Sequence, residues 1–386
     1  MLLKMWANVK ARGALMKAFK DADICKKVKV GDKTHIRYPT IHAVTYEPST
    51  EVATYVFTVP NGFNPEDVLN KYYVFVQHFG ESIELKGKYK KFVLKVFLKQ
   101  LPKVIKYDYE SIADEAEGLK LPIPCGRNLM NQMVMYDMAE YETLLLSGEI
   151  GAGKSSLLRC INTFLIQSRT PEDVQFHLID MKRSEFGFYR HVEHVKSVST
   201  EINEVKKVVK ELKRERENRG DLLDKHSVVH IDKLPFKLNR IIVCVDEMSL
   251  LKGQKDIIKE IEAIGATGRA LGMHLILSMQ RPDSKLLESG SLKNNMRIRI
   301  SGRQSNAMNA KVAGVEGAEN IKMNQRGRMK MMMDDIIEFQ SFFLDDKLLP
   351  GILEPYKVKE IQEKEVIQEQ PPSINEFNLE DVFNDE

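Results

Sequence analysis

The sequence predicts an α/β fold with a mainly parallel sheet, preceded by a small α+β domain. Three observations lead to this prediction. From residue 119 onward, short apolar segments alternate with helical stretches, which is typical of a parallel sheet covered by helices. One of these segments, residues 143–146, runs directly into a glycine-rich loop and the start of a helix. Between residues 27 and 103, in contrast, short runs of β-forming residues surround one helical stretch.

The composition is that of an ordinary globular protein. The 386 residues are 43% hydrophobic and 29% charged, and the net charge of +3 neither requires nor excludes a nucleic-acid partner. No apolar run approaches the roughly 20 residues that span a bilayer, so we expect a cytoplasmic protein, or one held at a membrane through partners. The cysteines form no CxxC pair, which argues against a zinc site or a disulfide framework. They are Cys25, Cys125, Cys160 and Cys244.

The first part of the chain divides into two segments. Residues 1–26 are a basic leader, expected to be solvated or poorly ordered; the alternative is an amphipathic helix that contacts a membrane or a partner. Residues 27–118 are the small α+β domain, with strands expected near residues 28–30, 35–38, 52–59, 83–86 and 92–98. Its helix should begin at Asn64 and Pro65, because asparagine caps a helix and proline fits the first turn.

The second part, residues 119–356, carries the predicted parallel sheet. Its strands are expected at residues 143–146, 176–179, 241–245, 273–278 and 297–300, with a long charged helix at 201–218. Residues 119–127 look like the connection between the domains, because they contain Pro122 and Pro124. Residues 357–386 are acidic and contain proline, so we expect a disordered tail.

Residues 148–155 fit the phosphate-loop pattern GxxxxGK[ST] without a mismatch. The glycines allow backbone N–H groups to approach a phosphate, and the following helix adds its positive end. Lys154 would reach the β- and γ-phosphates, and the Ser155 hydroxyl would bind Mg²⁺. The alternative is a glycine-rich turn that matches by chance. The sequence therefore predicts ATP and Mg²⁺ as cofactors, with nine candidate ATP-binding residues: Gly148, Glu149, Ile150, Gly151, Ala152, Gly153, Lys154, Ser155 and Ser156.

An apolar strand that ends in two carboxylates, Asp246 and Glu247, follows the loop in sequence. After a phosphate loop this is a Walker B pattern, in which Asp246 would hold the Mg²⁺ water shell and Glu247 would polarise the attacking water. A later apolar strand ends at Gln280, where open α/β sheets bind ligands, so Gln280 could sense the γ-phosphate or that water. The alternative for Gln280 is a cap on a loop.

Together these motifs resemble the FtsK/SpoIIIE family of ATP-driven DNA translocases. The resemblance includes residues 148–155, 178–182, 242–247 and 268–282, continues to residue 303, and extends over roughly residues 119–356. It implies a RecA-like P-loop motor, an FtsK-type ATPase domain over residues 119–356, which assembles as a hexameric ring, threads double-stranded DNA and hydrolyses ATP between subunits. It also implies that the small domain belongs to the motor.

The resemblance implies further site residues. Arg269 is the candidate for an arginine that acts on a neighbouring subunit's ATP, with Arg299 and Arg303 as competing candidates. Lys285 and Lys293 are candidate DNA contacts, with a solvated surface as the alternative.

Chromosome-partition members of the family carry membrane spans before the motor and a winged helix after it, and this sequence shows neither. The sequence is more similar to the FtsK-type coupling proteins of conjugative plasmids and transposons. We therefore expect a DNA translocase in conjugative or mobile-element transfer, with a membrane-anchored transfer-channel protein or a relaxase as partner. The alternatives are a protein-export ATPase of the type VII secretion kind, a chromosome or plasmid partition translocase, and a nucleotide-dependent switch.

Overall fold

The structure is a computed structural model that describes residues 2–30, 32–48, 50–80, 82–288 and 292–358. The helices are α1 (Leu2–Asp21), α2 (Glu66–Asn70), α3 (Tyr72–Phe79), α4 (Tyr109–Glu115), α5 (Lys154–Ser168), α6 (Ile202–Lys225), α7 (Lys255–Leu271), α8 (Ser284–Glu288), α9 (Leu292–Asn295), α10 (Ala307–Ala313) and α11 (Leu349–Leu353). The strands are β1 (Lys26–Val30), β2 (Lys33–Arg37), β3 (Thr40–Glu47), β4 (Val52–Thr58), β5 (Ile83–Lys88), β6 (Lys91–Phe97), β7 (Ile105–Lys106), β8 (Pro122–Asn128), β9 (Met133–Asp137), β10 (Thr143–Ser147), β11 (Val174–Ile179), β12 (Val195–Ser199), β13 (Arg240–Val245), β14 (Met273–Met279), β15 (Ile298–Ser301), β16 (Arg328–Met332) and β17 (Ile336–Phe343).

One large mixed sheet forms the centre of the fold. Its strand order is β12-β11-β13-β14-β10-β15-β16-β17-β8-β9, and β7 pairs with β17. Neighbours from β12 to β15 are parallel, and those from β15 to β9 are antiparallel. The five strands that the sequence predicts for residues 119–356 correspond to β10, β11, β13, β14 and β15, all in the parallel half of the sheet. The glycine-rich loop directly follows β10. The predicted α/β fold class is confirmed.

Helices cover both faces of the parallel half. Leu144 and Leu146 of β10 pack with α5 on one face, whereas Leu145 packs with α6 and α7 on the other. This alternation follows from the two-residue period of a strand. Helix α6 continues seven residues beyond its predicted end at residue 218. Its extension carries Arg219, a buried side chain that donates hydrogen bonds to the carbonyls of Asn239 and Leu271.

The antiparallel half was not predicted from the sequence. The segment expected to be a connection between domains instead contains β8, which pairs with β9 and β17. Its prolines and Gly126 obscure the strand pattern. Gly126 permits a close approach, since a Cβ there would lie 2.0 Å from the carbonyl oxygen of Gln340.

The small α+β domain contains the four-stranded antiparallel sheet β3-β4-β6-β5 and the separate two-stranded sheet β1-β2. Residues 2–21, expected as a solvated or poorly ordered leader, form helix α1, and the C-terminal half of this helix is part of the domain's core. Leu15, Ala18 and Phe19 are fully buried, and the Phe19 ring meets that of Phe57 at a centroid distance of 4.8 Å. Apolar residues at this helical spacing explain the packing.

Two further expectations concern the ends of the chain and the membrane. Residues 359–386, most of the expected disordered tail, lie outside the described residues. Within the part that is described, no helix is both long and apolar enough to cross a bilayer.

Candidate nucleotide-binding and hydrolysis site

The phosphate loop joins the carboxyl end of β10 to α5, between β14 and β15 in the sheet. Its backbone requires glycine at three positions, since Gly148, Gly151 and Gly153 have φ of 142°, 79° and 102°. A Cβ on Gly153 would also lie 3.0 Å from the Cα of Gly327, so the loop keeps its shape by packing backbone against backbone. The N–H groups of Glu149 and Ala152 bond to carbonyl oxygens of the chain, so a phosphate would be contacted by N–H groups of other loop residues.

Lys154 is a buried cation held by its own loop. Its ammonium donates to the carbonyl oxygens of Gly148 and of Glu149, the latter at 3.4 Å. Burial lowers the pKa of Lys154 to about 8, while the carboxylates of Glu247 and Asp246 act in the opposite direction. Hydrogen bonds from an ammonium to phosphate oxygens are stronger than those to neutral carbonyl oxygens. The buried ammonium of Lys154 is therefore suited to bind phosphate.

Asp246 follows the last residue of β13 and is 8% exposed. Burial, together with the carboxylates of Glu185 and Asp180, raises its pKa to about 6. The site thus holds more negative charge than its own cations neutralise, which fits a divalent cation. Ser155, half-buried in the first turn of α5, is the hydroxyl available to such an ion.

The next loop residue, Ser156, has a structural partner. Its hydroxyl oxygen accepts a hydrogen bond of 3.1 Å from the N–H of Leu344, just after β17. Ser156 therefore joins α5 to the antiparallel half of the sheet.

Asp180, directly after β11, is a further residue of the site. It lies within residues 178–182 of the family resemblance, but the sequence assigns no role to it. Its carboxylate accepts hydrogen bonds from the backbone N–H groups of Ser184, Glu185 and Phe186, at 3.2, 2.9 and 2.9 Å. These bonds close the loop after β11, which carries both Lys182 and Glu185 into the site. Asp180 could have been predicted as a site residue, because in the sequence it directly follows an apolar strand.

Glu247 is held by donors from three loops. Its carboxylate, 4% exposed, accepts hydrogen bonds from the ammonium of Lys182 at 2.7 Å and from the hydroxyl of Ser249. The backbone N–H of Gln280 lies 3.3 Å from both carboxylate oxygens. Gln280 therefore positions Glu247 through its backbone. Neither the contact of Glu247 with the Gln280 N–H nor its contact with Lys182 is apparent from the sequence.

Two cavities meet at the loop. The smaller, about 510 Å³, is lined by Lys154 and Ser155 and reaches the exposed side chains of Val104 and Phe343. The larger, about 1030 Å³, is lined by Lys182, Glu247 and Gln280. Both share Glu149, Ile150, Gly151, Gln280 and Arg326. The smaller cavity thus has a polar phosphate end and an apolar end, as nucleotide sites do. The apolar end was not apparent from sequence, because its residues belong to β17 and to the segment before β7.

Arg269 does not join the site of its own chain. It lies near the C-terminus of α7, which leads directly into β14, so it is at the amino edge of the parallel strands. The loop, Glu247 and Gln280 all follow carboxyl ends, at the opposite edge. The guanidinium of Arg269 makes an ion pair of 2.7 Å with Glu140, and both side chains are more than half exposed.

The competing arginines have partners within the chain. The guanidinium of Arg303 pairs with Glu149 of the loop, and the Arg303 carbonyl accepts a 3.0 Å hydrogen bond from the Glu149 N–H. Arg299 is half-buried, donates to the carbonyl of Met296 at 3.2 Å and packs over Gly314. Both side chains are less exposed than that of Arg269.

The two candidate DNA contacts belong to the short helices α8 and α9. Lys285 is exposed on α8 and lines the larger cavity. Lys293 lies in α9, but its side chain is outside the described part of the structure.

Comparison with known proteins supports the sequence interpretation. The model of the FtsK/SpoIIIE family matches residues 107–242. The DNA translocase FtsK of Chlorobaculum tepidum is 27% identical over 222 residues, which cover 53% of this chain and 28% of that protein. The DNA translocase FtsK of Staphylococcus aureus strain Mu50 is 28% identical over 291 residues, which cover 69% and 36%. The chain spans about a third of the length of these relatives.

Solved structures share the fold. The pCW3 conjugation coupling protein TcpA, in a monomer form with ATPγS, matches with a TM-score of 0.61 at 24% identity, covering 90% of this chain and 100% of that one. The cytoplasmic domain of the type VII secretion ATPase EccC from Thermomonospora curvata matches with a TM-score of 0.55 at 23% identity, covering 62% and 31%. These likenesses show a P-loop ATPase fold. Residues 107–242 therefore match the FtsK/SpoIIIE family model, within a P-loop ATPase fold of the FtsK/SpoIIIE type.

Proposed function

We propose that this protein hydrolyses ATP to translocate double-stranded DNA, in conjugative or other mobile-element transfer. The observation that carries the proposal is the position of Glu247, a buried carboxylate held by Lys182 and Gln280 beside a complete phosphate loop. A protein that only binds nucleotide does not need a second acid at this point.

ATP would occupy the smaller cavity. The phosphate loop, residues 148–156, and the ammonium of Lys154 would bind its phosphates, and Val104 and Phe343 offer an apolar surface to the base. Lys154 would exchange its weak contacts with loop carbonyls for charge-assisted bonds to phosphate.

Mg²⁺ would be held by the Ser155 hydroxyl and, through water, by Asp246. When bound, the ion neutralises charge on the phosphate oxygens. The raised pKa of Asp246 supports this assignment, because burial, with the neighbouring carboxylates of Glu185 and Asp180, leaves this carboxylate without the solvation that a cation would replace.

Hydrolysis would take place beside Glu247. This carboxylate would orient and polarise the attacking water, and the Gln280 side chain, which lines both cavities, would contact the water or the γ-phosphate. Arg269 would act on the ATP of a neighbouring copy. In a closed ring, each interface between subunits joins one surface of a subunit to a different surface of its neighbour. An exposed arginine on the opposite edge of the sheet from the phosphate loop is therefore suited to act on the neighbour's ATP. We infer a hexameric ring on the same grounds.

The biological setting rests on similarity. The fold shared with TcpA over 90% of the chain favours DNA transfer, with a transfer-channel protein or a relaxase as partner and a cytoplasmic location. Lys285 and Lys293 would contact DNA phosphates. The fold shared with EccC favours the second candidate, a protein-export ATPase. A partition translocase is the third, from the FtsK relatives.

The test is ATP turnover with and without double-stranded DNA at low salt, with the assembly state followed by mass. We expect DNA to stimulate turnover, Glu247→Gln to abolish hydrolysis while retaining ATP binding, and Lys154→Ala to prevent binding. An ATPase rate indifferent to DNA contradicts DNA translocation, and stimulation by a secreted peptide favours the export candidate. Hydrolysis that survives Glu247→Gln contradicts the assignment of the site.

A further inference from the structure

A basic β-ribbon extends from the small domain. Strands β1 and β2 pair only with each other, in an antiparallel sheet separate from both larger sheets. The ribbon is anchored at its base by two buried residues, Ile24 before β1 and Pro39 after β2. Between these anchors every described side chain is exposed or half-buried, and all five residues of β2 are exposed. The ribbon is therefore not retained for packing.

Its charge is strongly one-sided. Residues 26–37 contain five basic side chains, Lys26, Lys27, Lys29, Lys33 and Arg37, and one acidic residue, Asp32. This surplus of four positive charges exceeds the net charge of +3 of the entire chain. The ribbon thus carries a local excess of positive charge, which is the pattern expected of a polyanion contact.

The pairing of the strands places like charges together. Lys26 lies directly opposite Arg37, an arrangement that costs stability in a sheet. Lys26 is directed to the carbonyl of Asn61, at 2.6 Å. Lys29, Lys33 and Arg37 have no ion-pair partner among the described residues. Within the described part of the chain their charges are therefore not neutralised by ion pairs.

The spacing of the cations suits a phosphate backbone. Lys33, His35 and Arg37 lie on one face of β2 at every second residue, about 7 Å apart, and Lys29 lies on the opposite face. A two-stranded ribbon also has the dimensions that the major groove of a DNA duplex accepts.

We propose that the ribbon of residues 26–37 is a second DNA-contact surface, which binds the phosphate backbone of the duplex outside the motor domain. This inference rests on the proposed function, since that function supplies DNA as the polyanion. The contact is independent of base sequence and weakens with salt.

The test compares two triple variants with equal changes of charge. The ribbon variant combines Lys29→Gln, Lys33→Gln and Arg37→Gln. The control combines Lys206→Gln, Lys207→Gln and Lys210→Gln, three exposed lysines of α6. Binding of a labelled duplex of mixed sequence is measured by the full chain over a range of salt concentrations. We expect about tenfold weaker binding by the ribbon variant at low salt, and a salt slope reduced by about 0.9 for each lost phosphate contact. The control should match the unmodified protein.

The alternative outcomes overturn the inference. If DNA binding is weakened equally in both variants, or is unchanged in both, the ribbon is not a DNA site. The proposed function still holds in that case, provided that the unmodified protein binds DNA. Loss of binding to phosphatidylserine vesicles with unchanged DNA binding identifies a membrane contact instead. Unmodified protein that does not bind DNA contradicts both proposals. Basal ATPase activity and melting temperature report folding, and single Lys33→Gln repeats the comparison if the triple variant unfolds.

Discussion

The ammonium of Lys182 lies 2.7 Å from a carboxylate oxygen of Glu247, across 65 residues of sequence. Lys182 is 30% exposed and lines the larger cavity, whereas Glu247 is 4% exposed. The pair therefore brings a partly exposed cation and a buried carboxylate together at the larger cavity, beside the phosphate loop. Lys182 acts through Glu247 as a positioning residue, and this role can be separated from binding of ATP.

Lys182→Met should lower kcat about tenfold at pH 7 and change the KM for ATP much less, because the phosphate contacts of Lys154 remain. Steady-state turnover over a range of ATP concentrations measures kcat and KM. Lys182→Arg should restore most of the activity. Lys99→Met, which removes an exposed ion pair with Glu51 in the small domain, is the control. An unchanged kcat, or a KM for ATP that rises as much as kcat falls, would rule out the positioning role.

Asp246→Asn should stabilise the nucleotide-free protein while it abolishes Mg²⁺-dependent turnover. The folded state raises the pKa of Asp246 from 3.8 to about 6, so its ionised form costs stability above pH 6 and not below pH 4. We expect a gain of about 2 kcal/mol at pH 7, which disappears as the pH falls to 4. Urea unfolding at a series of pH values measures the gain.

Asp232→Asn is the matched control, because the pKa of Asp232 is shifted the other way. Burial alone would raise that pKa, but the hydrogen bond from Lys120 and the charge of Arg240 lower it. Asp232→Asn should therefore not stabilise the protein at pH 7. Equal gains from both variants would refute the assignment of Asp246 as a destabilising charge.

Gly153→Ala should weaken ATP binding at least about tenfold, because the methyl group meets the backbone of Gly327 and the φ of 102° is strained for alanine. Titration with a fluorescent ATP analogue measures the affinity. Gly220→Ala, in α6, is the control, since a Cβ there meets nothing within 4 Å. That change should leave affinity intact and stabilise the helix by up to about 1 kcal/mol. Equal affinities for the two variants would contradict the packing argument.

Arg269→Ala should reduce kcat on the order of 100-fold without affecting nucleotide affinity, if this arginine completes a neighbour's site. Mixing it with Lys154→Ala should restore part of the activity, because some contacts then combine an intact loop with an intact arginine. Glu140→Ala removes the partner of Arg269 and keeps the guanidinium. If Arg269 served only that ion pair, Glu140→Ala would lower turnover equally and mixing would restore nothing.

Sequence reasoning succeeded where the signal is local. Residues 143–146 and 241–245 were recognised as strands because each is an unbroken apolar run, and the structure buries both. Strand β8 was not predicted, because it contains prolines and a glycine, which are uncommon in strands. The packed helix at residues 2–21 was not predicted, because its many basic residues suggested a solvated segment. The roles of Asp246, Glu247 and the loop residues stay predictions that the geometry supports.

The sequence by itself determined the phosphate loop, the strands around it and the FtsK/SpoIIIE resemblance, because these depend on contiguous residues with strong local preferences. Only the tertiary structure decided which side chains meet Glu247. The order of strands in the sheet brings Lys182 and the N–H of Gln280 onto this carboxylate from 65 and 33 residues away. The same order places Arg269 at the opposite edge. Strand order depends on packing of whole elements, so no local pattern contains it.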